Sequence, residues 1–156
     1  MKMITIQKEL IKNNILYPVN LLSKNQQQAP NCYKRLFEDF YNKINIKINK
    51  AIWCYSQLFK DEEICLNDKH INRAFEMGTI NNPYAYLLNV PDNFCLQTSF
   101  YDWVDQIFKE EFPNDEPNYN PKWDNIYNLE NINEIQCIIP FIKKEWILDI
   151  KILKNF

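Results

Sequence analysis

The sequence predicts a single α+β domain over residues 1–156, with a mostly antiparallel central sheet flanked by helices. Three observations lead to this prediction. Short apolar or alternating runs, typical of strands, are separated by segments of helical periodicity. The length of 156 residues is ordinary for one domain, and 46% hydrophobic residues are enough to build a core. Strands and helices are mixed rather than regularly alternating, which favours α+β over a parallel sheet.

The first third of the chain contains the strongest helix signal. Alternation predicts a strand at residues 3–7, followed by a helical turn at 8–13 and a polar loop at 23–31. Apolar residues at helical spacing then predict a long helix from Tyr33 to Ile48. Asn31 precedes this helix and is a suitable N-terminal cap.

The rest of the chain, from residue 51 onward, is predicted to form shorter strands and helices. Strands are predicted at residues 51–55, 84–90, 94–97, 134–142 and 146–153, the last two joined by a charged turn. Helices are predicted at 67–77 with Gly78 as the C-cap, after Ser99 with Asp102 forming a capping box, and from Pro121 to residue 129. The apolar face of the helix after Ser99 comprises Phe100, Trp103, Val104, Ile107 and Phe108.

Glycine and histidine occur once each, and their scarcity excludes several familiar sites. Gly78 alone cannot build a P-loop or a Rossmann turn, because both need several glycines where the backbone approaches phosphate. His70 alone excludes multi-histidine metal sites, so we expect no metal. The five cysteines lack a C-x-x-C spacing, and we interpret them as reduced core thiols. A cysteine nucleophile paired with His70 is the alternative.

The nearly balanced charge argues against a dedicated nucleic-acid-binding protein. The net charge is −2, whereas such proteins usually carry a strongly basic face. A basic surface formed by Lys34, Lys43, Lys47 and Lys50 is the weaker alternative. No apolar run approaches the roughly 18 residues of a membrane span, and the N-terminus has no signal-peptide core. We therefore expect a cytoplasmic protein without a membrane partner.

Several short motifs occur along the chain in an order that resembles the pattern of a known family. They are Thr5-Ile6-Gln7, Ile52-Trp53-Cys54-Tyr55, Leu87-Leu88-Asn89-Val90-Pro91-Asp92, Phe100-Tyr101-Asp102-Trp103, Trp123-Asp124-Asn125-Ile126, and Ile135-Gln136 through Trp146 to Lys151. Over most of the chain, this series resembles the bacterial family called domain of unknown function 3841. Residues 59–82 depart from the family pattern.

The order of elements in that family is similar to the ADP-ribosyltransferase fold, which binds NAD without a glycine-rich loop. The resemblance implies that NAD is bound as a substrate by Thr5 and Gln7 of the first strand and by Trp53 and Tyr55 of the second. It also implies a macromolecular target. The first strand departs from the usual pattern, because Thr5 and Gln7 stand where an Arg or His is expected.

The resemblance further implies that Glu134 and Gln136 form the catalytic pair on a late strand. The chemistry needs a carboxylate to stabilise an oxocarbenium-like ribose as nicotinamide leaves. Glu134 has this charge and Gln136 does not, so the two residue types stand in the reverse of the usual order.

Two other interpretations stay open. One face of an antiparallel sheet is often solvated, and Glu134 and Gln136 would then simply face water. The lack of a catalytic signature is also typical of a catalytically inert inhibitor, encoded by a phage or mobile element, that binds a protein partner by surface complementarity. Convergence of Gln7, Tyr55 and Gln136 on one cleft would favour the enzyme over the binding protein.

Overall fold

The computed structural model of the protein describes residues 1–19, 23–77 and 83–153. The strands are β1 (Lys2–Gln7), β2 (Ile15–Leu16), β3 (Ile52–Gln57), β4 (Tyr84–Asn89), β5 (Leu96–Ser99), β6 (Ile135–Ile139), β7 (Ile142–Lys143) and β8 (Ile147–Ile152). The helices are α1 (Lys24–Gln28), α2 (Pro30–Ile44), α3 (Asp68–Met77) and α4 (Phe100–Glu111), with 3-10 turns at Asp92–Phe94, Trp123–Tyr127 and Lys144–Trp146.

Six strands form an antiparallel sheet in the order β5-β6-β3-β1-β4-β8, and β2 pairs with β7 in a separate two-stranded sheet. The predicted α+β class and antiparallel sheet are confirmed. The last two predicted strands, however, are not neighbours in the sheet. β6 pairs with β5 and β3, whereas β8 pairs with β4 at the far edge. The connection between them contains β7 and a 3-10 turn, so the charged turn does not close a hairpin.

Both faces of the large sheet are covered. On the helical face, Trp53 packs with the cluster that contains α2 and α4 residues, while Tyr55 packs with Ala74 of α3. On the opposite face, Cys54 and Cys137 pack with Ile142 of β7. Because side chains alternate along a strand, this double cover explains why every residue of β6 is buried.

Helix α2 confirms the long helix predicted from apolar spacing, but both of its ends differ from the prediction. It ends at Ile44, where Asn45 adopts a left-handed conformation with φ 64°, so Ile48 lies beyond it. At its start, the backbone N–H groups of Asn31 and Cys32 donate to the Glu110 carboxylate of α4, at 3.1 and 2.7 Å. Asn31 is therefore a capped residue rather than the cap.

Replacing Glu110 with alanine is expected to destabilise the protein by about 1–2 kcal/mol, the usual cost of losing a helix N-cap together with a charge at that end. The measurement is the free energy of unfolding in urea. The neighbouring Glu111→Ala is the matched control, with an expected change within about 0.5 kcal/mol. Equal losses in the two variants would contradict the capping role.

Several short elements differ from their predictions. Residues 8–13 are irregular rather than a helical turn. The predicted polar loop contains α1, whose N-cap Ser23 accepts a hydrogen bond from the Gln26 backbone N–H. The helix expected to start at Pro121 is a 3-10 turn that begins at Trp123. The predicted cap at Gly78 lies outside the described residues.

Candidate functional site

Gln136 lies in the middle of the sheet and is almost fully buried, with 3% of its surface exposed. Its cross-strand neighbours on the helical face are Tyr55 in β3 and Thr98 in β5. The side-chain amide donates a hydrogen bond to Thr98 Oγ1 at 2.9 Å. The interpretation that Gln136 faces water is therefore wrong. Its amide joins two strands inside the core.

Glu134 precedes β6 and forms an ion pair with α3. Its Oε1 lies 2.7 Å from Arg73 Nη2, and only 12% of the Glu134 side chain is exposed. Arg73 also donates to Glu76 at 2.9 Å and to the Tyr101 hydroxyl at 2.8 Å. The hydrogen bond to Glu134 is the main reason that the pKa of Arg73 is raised. The network ties the start of β6 to α3 and α4.

Thr5 and Gln7 lie on the other face of the sheet from Tyr55. Ile4 is the cross-strand partner of Tyr55 and shares its face, and side chains alternate along β1. Thr5 Oγ1 donates to the Trp53 carbonyl at 2.6 Å, and the Gln7 amide donates to Thr5 Oγ1 at 2.8 Å. Both polar groups are thus used within the sheet.

Trp53 and Tyr55 are also occupied by packing. The Trp53 ring lies 5.8 Å from Tyr33 and 5.7 Å from Trp103, in an aromatic cluster under α2 and α4. Tyr55 is buried, and burial raises the pKa of its hydroxyl. Because Tyr55 is covered on the helical face, its ring offers no open surface on which nicotinamide could stack.

Gln7, Tyr55 and Gln136 therefore do not converge on one cleft, which is the arrangement that would favour the enzyme. The sheet separates Gln7 from the other two, and Glu134 is engaged by Arg73. Two surface cavities of about 460 and 500 Å³ lie elsewhere, beside Lys143 and beside Asp39. Of the three residues Gln7, Tyr55 and Gln136, the geometry brings together only the last two, as cross-strand neighbours.

The thiols and the single imidazole do not form a nucleophilic pair in the described residues. Burial raises the pKa of Cys54, and burial with Glu110 raises the pKa of Cys32 to about 12. The His70 Nε2 lies 4.0 Å from Glu62, while its buried Nδ1 has no hydrogen-bond partner. Burial lowers the pKa of His70, so the imidazole is neutral at neutral pH.

A feature that the sequence interpretation missed is an exposed apolar stripe on α4. Tyr101, Val104, Phe108 and Phe112 are between 38 and 53% exposed. Their spacing of three, four and four residues places them on one side of the helix. The α4 stripe is continuous at its end, because the Phe108 and Phe112 rings lie 5.2 Å apart. Val104 and Phe108 had been predicted to face the core, but α4 buries only Trp103 and Ile107.

The four lysines considered for nucleic-acid binding do not share one helix face. Lys34 and Lys43 lie nine positions apart on α2, which places them roughly 180° apart around its axis. Lys47 and Lys50 follow the end of the helix at Ile44. The basic helix face considered from the sequence is therefore not formed.

Among residues 1–19, 23–77 and 83–153, no cluster of three or more metal-ligating side chains is present, and no helix has the length and apolar character to cross a bilayer.

Comparison with known proteins does not extend these observations. The resemblance to the family called domain of unknown function 3841 stays a prediction. No family model, curated protein or solved structure matches the chain.

Proposed function

We propose that the protein is a catalytically inert protein-binding module that inhibits a partner by surface complementarity. The observation that carries this proposal is the α4 stripe, because a row of half-exposed aromatic and aliphatic side chains marks an interaction surface. Aromatic residues are also the side chains that contribute most to protein–protein affinity.

The arrangement of the sheet supports binding rather than catalysis. The residues assigned to NAD by resemblance are divided between two faces, and Gln136, Tyr55 and Thr5 are buried. Binding of a partner through α4 does not require these buried side chains to become exposed. The alternative is ADP-ribosyl transfer by an ADP-ribosyltransferase-like fold, with NAD as substrate and Glu134 as the catalytic carboxylate.

Site-specific photocrosslinking tests the proposal. A photoreactive phenylalanine at position 101 is expected to capture a defined protein in an extract of the source organism. The same probe at Leu148, which is exposed on β8 away from α4, is the control. Capture must also be lost when Phe108→Ser is added, because a specific partner would need the neighbouring ring. Equal capture from both positions, or capture insensitive to Phe108→Ser, would overturn the proposal.

A parallel assay with NAD separates the two functions. Purified protein is incubated with NAD and the same extract, and mass spectrometry measures free nicotinamide and ADP-ribosylated products. We expect neither to form. Nicotinamide release that disappears in Glu134→Gln would establish the enzymatic function and overturn the inert one.

A further inference from the structure

The chain segment that contains the α4 stripe and the loop after it is rich in acidic residues. Residues 100–120 contain six acidic residues and one lysine, although the whole chain has a net charge of only −2. Two of these carboxylates serve internal contacts, since Glu110 caps α2 and Asp102 accepts a hydrogen bond from Ser99 Oγ at 2.6 Å. The other four are Glu111, Asp115, Glu116 and Asp105, and Asp105 is hydrogen-bonded to the Tyr119 hydroxyl of the loop after α4.

These four carboxylates lie around the stripe. On a helix with 100° per residue, Asp105 and Glu111 lie on opposite sides of the line that joins Tyr101 to Phe112. The loop after α4 folds back onto it, because the Tyr119 ring packs edge-on against Phe108 at 6.3 Å. Burial and a hydrogen bond with Asp105 raise the pKa of Tyr119 to about 12, and this hydrogen bond places Asp105 beside the contact. The loop adds Asp115 and Glu116, both exposed, between Phe112 and Tyr119.

We infer that the occupant of the α4 stripe is a basic amphipathic helix of a partner protein; this inference rests on the proposed function. A row of apolar side chains at helical spacing fits the apolar face of another helix. Lysine or arginine residues that flank that face would meet Asp105 and Glu111. A second copy of this chain fits poorly, because pairing two α4 stripes would bring two acidic rims together.

The stripe sets the length of the partner helix. Tyr101 and Phe112 are eleven positions apart, so the row covers about 16 Å along α4, or three helical turns. A partner segment of about 14 residues with apolar side chains at one face would cover it. The charges on the rim are partly or fully exposed and are screened by salt, so the preference for a basic partner should weaken as ionic strength rises.

Two synthetic helices of about 14 residues provide the test. Both carry leucine at the same positions of one face, and the other positions are lysine in one peptide and glutamate in the other. The full-length protein is expected to bind the lysine peptide at least about tenfold more tightly at low salt. Asp105→Lys with Glu111→Lys should reverse this preference. Glu9→Lys with Glu130→Lys changes the net charge equally at exposed sites outside α4 and should not reverse it.

The outcomes separate the inference from the proposed function. Equal binding of the two peptides, or reversal by the Glu9 and Glu130 variant, would overturn the basic partner. If crosslinking at position 101 still captures a protein in a Phe108-dependent way, the binding function stands and only the partner's chemistry is wrong. Sedimentation that shows a dimer dissociated by Phe108→Ser would identify a second copy as the occupant, against the inference. If the protein neither binds the peptides nor gives a Phe108-dependent crosslink, the proposed function itself is overturned.

Discussion

Replacing Trp103 with alanine is expected to lower the free energy of unfolding by about 3–5 kcal/mol. Trp103 is 3% exposed and lies at the centre of the aromatic cluster under α2 and α4. Its ring centroid lies 5.1 Å from Tyr33, 5.7 Å from Trp53 and 6.0 Å from Trp123. Removing the ring would leave a cavity and break three aromatic contacts at once.

Urea denaturation measures the change in the free energy of unfolding, and two further variants serve as references. Trp103→Phe keeps part of the ring and should cost less than Trp103→Ala. Tyr41→Ala removes an aromatic ring that is exposed on α2, and its cost should be within about 0.5 kcal/mol. A loss below about 1 kcal/mol for Trp103→Ala would show that the cluster does not hold α4 against the sheet.

Replacing Arg73 with methionine is expected to cost about 2–3 kcal/mol. The change leaves the Glu134 carboxylate 12% exposed without its partner. Breaking a buried ion pair from one side is strongly destabilising, whereas a fully exposed pair contributes little. The Arg73 side chain is 23% exposed, so the pair lies between these limits and nearer to the buried one.

A double-mutant cycle isolates the contribution of this pair. Glu134→Gln alone and Arg73→Met alone should each destabilise the protein, and the double variant should cost less than their sum. The exposed pair between Lys2 and Glu63 is the control, and Lys2→Met should leave stability unchanged within error. Additive losses at Arg73 and Glu134 would show that the two side chains are not coupled, and Glu134 would then have no structural role.

The sequence was sufficient for features that depend on local periodicity. The apolar spacing from Tyr33 onward predicted α2, and alternation predicted β1. The cap of α2 was not predictable, because Glu110 comes from a helix that lies 78 residues away from Cys32. Strands β6 and β8 were predicted as segments, but their neighbours depend on contacts far along the chain.

The candidate site was less predictable than the fold, and the reason is strand register. Glu134 and Gln136 were correctly placed around one strand, but Thr5 and Gln7 lie on the opposite face from Tyr55. A shift of one residue in pairing exchanges the two faces of a strand, and a single sequence contains no direct record of the pairing. The α4 stripe was missed for a related reason. Six of the twelve residues of α4 are apolar and form one broad face, so periodicity alone could not show which of them α2 and the sheet would cover.

The order of strands in the sheet also determines when the fold can be completed. β1 is synthesised before its neighbours, yet it lies inside the sheet, with Ile4 paired to Tyr55 on one side and Leu87 on the other. On the ribosome, β1 must therefore wait for most of β3 and β4 to emerge before its backbone is enclosed. During that interval, its apolar residues lack the sheet neighbours that bury them in the folded protein. Such long-range pairing raises the contact order of the chain, which makes folding slow compared with a helical bundle of similar size.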